Sequence, residues 1–194
     1  KGVEMTHEHY CTTALNLPAY MPKLLHERKN SVLLFLPQAH SFARAINYIC
    51  VASELHIYIA QGIKTLIADL QVAKPSVMIV VPRVLEKVYN AASQKAGAGI
   101  QGHIFAQSVK HFVKWSKDEQ AGRGHSFIER MRHSFYMATV GKSIRSALGP
   151  NLKWLACGGA PLNVDLAHFF NGMDDITFIQ GYGMTETAAP MLVN

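Results

Sequence analysis

A hydroxyl and a carboxylate stand side by side at Thr185-Glu186, directly after two glycines around an aromatic ring, Gly181-Tyr182-Gly183, and Met184. These types suit a nucleotide. A tyrosine ring stacks on a base, a hydroxyl donates to a phosphate oxygen, and a carboxylate is a hard ligand for Mg²⁺ beside substrate phosphates. A second cluster, Gly158-Gly159-Ala160-Pro161, adds two residues without a β-carbon, which let a planar group approach the backbone, and a proline suited to a first helical turn. Each cluster follows a short apolar run, at residues 152–157 and 176–179. Both read as flexible turns at strand ends, where open α/β sheets bind ligands. A glycine pair alone is an ordinary strand-to-helix turn, and Thr185-Glu186 also suits a helix cap with a first-turn acid. The spacing of the two clusters favours one shared site.

The elements that must position these residues alternate as in an α/β protein. Ser31-Val32-Leu33-Leu34-Phe35-Leu36, stopped by Pro37, and Val77-Met78-Ile79-Val80-Val81, stopped by Pro82, predict strands buried on both faces. Thr6 predicts the cap of a first helix. Residues 42–54 predict a helix with Ile46, Ile49 and Cys50 on one side, and residues 57–59 a short strand. Ile63, Leu66, Ile67 and Leu70 follow the spacing of a helix with one buried stripe, ended by Pro75. Another helix starts across 84–92, and residues 96–102 form a loop or weak helix end. Phe105, Val109, Phe112 and Val113 mark a helical stripe, followed by a polar connection over 117–124. Phe127, Met131 and Phe135 continue as a long basic helix to Leu148, their side chains read as core contacts. Gly149-Pro150 breaks that helix, and Leu162, Leu166, Phe169 and Phe170 form a last helical face.

Composition narrows the class. The chain has 194 residues, 49% hydrophobic and 16% charged, enough to bury a core and too apolar for disorder. No apolar run approaches the roughly 18 residues of a membrane-spanning helix. Cys11, Cys50 and Cys157 are widely spaced and odd in number, which argues for free thiols in a reducing compartment. The net charge of +6 gathers in part at Arg123, Arg130, Arg132, Lys142 and Arg145, opposed locally by Glu129. A solvated helix face is favoured there over a docking face for an anionic ligand or membrane. No nucleic-acid-reading motif accompanies the charge. The chain opens on Lys1-Gly2-Val3 without a methionine and closes on Met191-Leu192-Val193-Asn194, which reads as a piece of a longer protein.

At these residues the chain resembles the large adenylating domain of acyl-CoA synthetases, within the adenylate-forming enzymes, and is most similar to the bacterial long-chain fatty-acid–CoA ligase branch. Lys1-Gly2-Val3-Glu4-Met5-Thr6-His7 looks like the tail of the family's phosphate loop. Leu36-Pro37-Gln38-Ala39-His40-Ser41-Phe42 resembles the motif lining the acyl tunnel. Lys74-Pro75-Ser76 with Val81-Pro82-Arg83-Val84-Leu85-Glu86-Lys87-Val88-Tyr89 is typical of the long-chain branch. Gly158-Gly159-Ala160-Pro161-Leu162 and Gly181-Tyr182-Gly183-Met184-Thr185-Glu186-Thr187 match its two adenylate-binding loops.

The resemblance implies a parallel sheet flanked by helices, with residues 1–194 a partial AMP-binding domain. Most of the phosphate loop would lie upstream, with the hinge and small C-terminal domain downstream. It implies activation of a long-chain fatty acid by ATP and Mg²⁺ to acyl-AMP, then transfer to coenzyme A; the isolated piece would be inactive. Gly158, Gly159, Ala160, Pro161, Gly181, Tyr182, Gly183 and Met184 would bind the adenylate. Thr185 would contact phosphate, Glu186 would hold Mg²⁺, Lys1 would belong to the phosphate loop, and His40 would stand near the substrate carboxylate. For Arg83 a structural salt bridge is favoured over chemistry. The partners implied are fatty acid, ATP, coenzyme A and the remainder of the polypeptide, without nucleic acid. A cytoplasmic protein with peripheral membrane contact fits this reading. A fatty-acyl-AMP ligase delivering to a carrier protein and an inactive nucleotide-binding module are the alternatives. The sequence departs from the family pattern at Cys157, usually serine, Gln38, usually aliphatic, and Ala43, usually glutamate.

Overall fold

Thr6 and His9 start the first helix by capping each other. The Thr6 hydroxyl accepts from the His9 N–H, and His9 Nδ1 accepts from the Thr6 N–H at 3.2 Å. The computed structural model describes residues 2–25 and 29–194, so Lys1 lies outside the described residues. In chain order the elements are α1 (His7–Tyr20), α2 (Pro22–Leu25), β1 (Ser31–Leu34), α3 (Ser41–Ala52), β2 (His56–Ile59), α4 (Leu66–Ala73), β3 (Val77–Val80) and α5 (Pro82–Ala96). There follow α6 (Ile100–Gln120), α7 (Phe127–Tyr136), a π-helical turn (Met137–Gly141), α8 (Lys142–Leu148), β4 (Trp154–Gly158) and α9 (Val164–Asn171). The described chain ends with β5 (Thr177–Met184), a 3-10 turn (Thr185–Thr187) and β6 (Ala189–Val193).

The strands form one sheet in the order β2-β1-β3-β4-β5-β6. Pairing is parallel from β2 to β5, and β6 closes the edge antiparallel to β5. Because side chains alternate across a strand, the apolar runs feed two cores. Val32, Leu34, Val77 and Ile179 face α1–α3, where they meet Ala14, Ile46, Ile49 and Cys50. Leu33, Met78, Val80 and Phe178 face the other side and pack on α4, α5, α6, α8 and α9 through Leu70, Leu85, Phe112, Leu148 and Phe169. No described helix is long and apolar enough to cross a membrane.

Polar groups pin the amino ends of the central strands. Asn30 is 1% exposed; its amide donates to the Leu24 carbonyl at 2.9 Å, and its Oδ1 accepts from the Ser76 hydroxyl at 3.0 Å. Ser76 Oγ in turn accepts from the Ser31 N–H at 2.9 Å, joining β1 to β3. Asn30→Ala removes the buried bonds to the Leu24 carbonyl and the Ser76 hydroxyl and is expected to cost about 1–3 kcal/mol, read as a lower midpoint in urea denaturation.

Several expectations need correction. Thr65, not the Ile63 spacing, sets the start of α4: its hydroxyl donates to Asp69 at 2.8 Å, and Ile63 and Ile67 are each 54% exposed. The expected polar connection at 117–124 is helical to Gln120, since Asp118 is anchored by Lys114 at 2.7 Å and by Arg123. The basic helix expected to run unbroken to Leu148 is interrupted by the π turn. Its Phe127, Met131 and Phe135 are exposed rather than core contacts. The inward side of α7 carries His133 and Tyr136 instead.

Those two residues join a ring cluster on α6. Trp115 is sandwiched by His125, at 3.5 Å between ring centres, and His133, at 3.9 Å. His111 lies 5.4 Å from His133 and 5.2 Å from Tyr136. His133 Nε2 sits 2.9 Å from Asp174 Oδ2, off the direction of a hydrogen bond. Burial, helped by His133, Arg132 and Lys114 and opposed by Glu129, lowers the His111 pKa from 6.5 to about 4. The unfolded chain therefore takes the proton first on acidification. The stability linked to His111 is full above pH 6.5 and is lost as the pH falls towards 4. Thermal unfolding across that window should show a falling midpoint, with a shallower slope in His111→Gln.

Candidate functional site

The two glycine clusters meet because β4 and β5 are adjacent and parallel, with Gly158 opposite Gly181. A β-carbon on Gly158 would stand 2.9 Å from the Gly181 carbonyl oxygen and 3.5 Å from the Phe42 ring. Gly159 turns the chain out of the strand at φ +84°, a conformation that favours glycine. Beyond it, Asn163 caps α9, its side chain accepting from the Leu166 N–H at 3.0 Å.

Between the clusters lies a cleft of about 610 Å³. Gly159, Ala160 and Pro161 form one wall and Gly181, Tyr182 and Gly183 the other, with Leu192, Val193 and Asn194 closing the end. Tyr182 is 56% exposed, which leaves its ring open to a planar partner. Gly158 is buried beneath this opening.

The glycine-tyrosine-glycine segment is not the expected flexible turn. It continues β5 to Met184, because β6 folds back on it and pairs Tyr182 with Leu192 and Gly183 with Pro190. Gly183 is required by that return: a β-carbon would lie 2.6 Å from the Ala189 carbonyl carbon and closer still to its oxygen. Asn194 fastens the far end, its Oδ1 accepting from the Gln180 N–H at 2.7 Å.

Thr185 and Glu186 lie past the cleft wall, in the 3-10 turn. The Ser41 hydroxyl donates to Thr185 Oγ1 at 3.2 Å, tying this turn to the start of α3. His40 is exposed and caps α3, its Nδ1 accepting from the Phe42 N–H at 3.2 Å. In the neutral ring the proton then resides on Nε2, where it can be donated outward. Thr185, Ser41 and His40 thus follow one another along one edge of the site. Arg83 pairs with Glu86 at 3.1 Å across one helical turn of α5.

Sequence reasoning did not single out Ser41, Phe42, Ala188 or Ala189 as site residues. The first two sat within the quoted 36–42 motif; Phe42 approaches both Gly158 and Gly159. Ala188 and Ala189 take φ of +56° and +82° and are 2% and 4% exposed, wedged against Tyr10 and Ala45. Consecutive non-glycine residues in this region are strained, and such strain gathers at functional sites. No residue-type signal announces it.

A second, apolar cavity of about 80 Å³ lies under α3. Leu17, Phe42, Ile46 and Ile179 line it, and it shares Cys157, Gly181 and Val193 with the cleft. Burial pushes the Cys157 thiol up to about 12 and the Cys50 thiol likewise, so neither is a thiolate nucleophile. Ala43 is 1% exposed in α3, while Gln38 faces outward.

A nucleotide fits this arrangement, with glycine backbone on one wall and an open ring on the other. No cluster of three or more His, Cys, Asp or Glu able to hold a metal occurs among the described residues. The single exposed carboxylate of Glu186 is compatible with Mg²⁺, which takes one or two carboxylates and completes its shell with phosphate and water.

Comparison with known proteins places the chain. The family described as AMP-binding enzyme matches residues 1–194. The chain is 37% identical over 194 residues to long-chain-fatty-acid–CoA ligase FadD15 of Mycobacterium bovis, aligning all of this chain with 32% of that protein. In fold it matches a long-chain-fatty-acid–CoA ligase (FadD1) from Archaeoglobus fulgidus at a TM-score of 0.61 and 16% identity, covering 100% of this chain and 31% of that one. It also matches o-succinylbenzoate coenzyme A synthetase (MenE) from Bacillus subtilis in complex with ATP and magnesium ion, at a TM-score of 0.60 and 13% identity, over 100% of this chain and 29% of that one. The chain thus spans about a third of the length of its curated relative. With the match running from the first residue to the last and the fold shared, this chain belongs to the AMP-binding enzyme family.

Proposed function

We propose that the full-length protein activates a long-chain fatty acid with ATP and passes the acyl group to coenzyme A. The carrying observation is the common wall of Cys157, Gly181 and Val193, which sets an apolar cavity directly beside the nucleotide cleft. An acyl-adenylate has that same division, and the cavity, at about 80 Å³, would take only the first carbons of the hydrocarbon tail. The relatives named as long-chain ligases support the choice of acid.

In this reading Gly159–Pro161 and Tyr182 hold the base, with Gly158, Gly181, Gly183 and Met184 shaping the backbone around it. His40 Nε2–H orients the substrate carboxylate, whose oxygen attacks the α-phosphorus as pyrophosphate leaves. Thr185 donates to the phosphate. Mg²⁺ held by Glu186 would neutralise charge developing on the phosphoryl oxygens. The coenzyme A sulfur then attacks the acyl carbonyl, and AMP leaves. Charge stabilisation of this kind needs no covalent enzyme intermediate, in keeping with the raised cysteines. Lys1 belongs to the phosphate loop in this scheme. Residues 1–194 form part of the adenylation domain, and the remaining polypeptide supplies the rest of that loop and the C-terminal domain; the isolated piece is inactive.

The test is product analysis with full-length protein, palmitate and ATP, offered either coenzyme A or a phosphopantetheinyl carrier protein. Acyl-CoA supports the proposal. Acyl-carrier without acyl-CoA would assign the protein as a fatty-acyl-AMP ligase instead.

A further inference from the structure

Helix α3 holds the turn that carries Thr185. Ala45 is buried and packs with Ala188 and Ala189, which follow that turn. Ser41 precedes Ala45 by one helical turn, so both stand on the same side of α3. That places the Ser41 hydroxyl against Thr185, where Oγ donates to Thr185 Oγ1 at 3.2 Å. The other hydroxyl of the turn is used within it: Thr187 Oγ1 accepts from the Met184 N–H at 3.1 Å and donates towards the Ala189 carbonyl at 3.0 Å.

A threonine hydroxyl has one proton to give and two lone pairs with which to accept. One lone pair of Thr185 takes the Ser41 proton, so the Thr185 proton turns away from Ser41. It meets no acceptor among the described residues. A hydroxyl that already accepts is also the better donor, because hydrogen bonds in a chain polarise one another. The pair thus presents one oriented, unspent proton, which suits an anionic oxygen.

We propose that Ser41 is a positioning residue for the nucleotide: by donating to Thr185 Oγ1 it aims the Thr185 proton at a phosphate oxygen of bound ATP. This role rests on the phosphate contact assigned to Thr185 above and names the group that sets its direction. Ser41 acts on the phosphate only through Thr185. The two side chains should therefore be coupled, with the Ser41 hydroxyl worth nothing to ATP once the Thr185 hydroxyl is gone.

The experiment measures the affinity of the full-length protein for ATP and for adenosine by calorimetry, in wild type, Ser41→Ala, Thr185→Val and the double variant. Thr185→Val should weaken ATP binding about thirtyfold, the worth of a hydrogen bond to a charged group, and Ser41→Ala about fivefold. Adding Ser41→Ala to Thr185→Val should change nothing further. Adenosine, which has no phosphate, should bind all four proteins alike, a result that a general loosening of the turn would not give. Neither side chain is buried, so all four should unfold at similar urea concentrations. Unchanged ATP affinity in Ser41→Ala, a fivefold loss that persists beside Thr185→Val, or an equal loss for adenosine would each overturn the proposal. Fatty-acid-dependent pyrophosphate exchange by the wild type is read alongside. Its absence, with the ATP results as expected, removes acyl activation and leaves the Ser41 role standing; its presence with uncoupled side chains does the reverse. A wild type that binds no ATP would overturn both.

Discussion

Replacing Glu186 by alanine in the full-length protein is expected to lower acyl-adenylate formation about a hundred- to a thousandfold, the range seen when a group stabilising transition-state charge is removed. Glu186 is exposed, and its side chain makes no hydrogen bond or ion pair among the described residues. Its loss should change folding stability by no more than about 0.5 kcal/mol. A large loss of rate with little loss of stability separates a chemical role from the helix-capping role that the same sequence also permits. Glu186→Gln sharpens the comparison, because it keeps the shape and removes the charge. Single-turnover acyl-AMP yield, measured against Mg²⁺ concentration, should fall in both variants and recover in part at high Mg²⁺. A glutamine variant with full rate at ordinary Mg²⁺ would remove Glu186 from the metal.

Gly183→Ala is expected to destabilise the protein by about 3 kcal/mol and to abolish nucleotide binding. The atoms a new methyl group would meet are backbone: the Ala189 carbonyl, with its carbon at 2.6 Å, and Pro190 Cα at 3.2 Å. Neither can swing aside as a long side chain would, so β6 must leave its place beside β5. Leu192, Val193 and Asn194 would leave the cleft with it. Gly181→Ala is the control two residues away. Its added methyl group meets nothing nearer than the Leu192 oxygen at 4.0 Å, so it should fold normally. Urea denaturation and ATP-binding calorimetry on the pair test the contrast. Equal stability of the two variants would mean that β6 is not held against Gly183 as described.

The central strands were legible because they are continuous apolar runs ended by proline, and Val32-Leu33-Leu34 does feed cores on both faces. The Thr6 cap and the pairing of the two glycine clusters were legible for similar local reasons. The extension of β5 through Gly181, Tyr182, Gly183 and Met184 was not. Its residues carry turn chemistry, and only the return of β6 makes them a strand. Helix α7 shows a different limit. Period locates an apolar stripe at Phe127, Met131 and Phe135 but does not say which way it faces. Here His133 faces inward onto Trp115, and Tyr136 onto His111 and Phe112, all three on α6. The bond from Ser41 to Thr185 spans 144 residues, a contact that one sequence cannot announce.

Fatty-acid-dependent exchange of labelled pyrophosphate into ATP by the full-length protein tests the central claim most directly. It reports adenylation alone and needs no acceptor. The long-chain ligases among its relatives support the prediction of exchange that requires a long-chain fatty acid and is absent with acetate. A folded protein that binds ATP yet exchanges with no carboxylic acid would contradict it, leaving a nucleotide-binding module without the reaction.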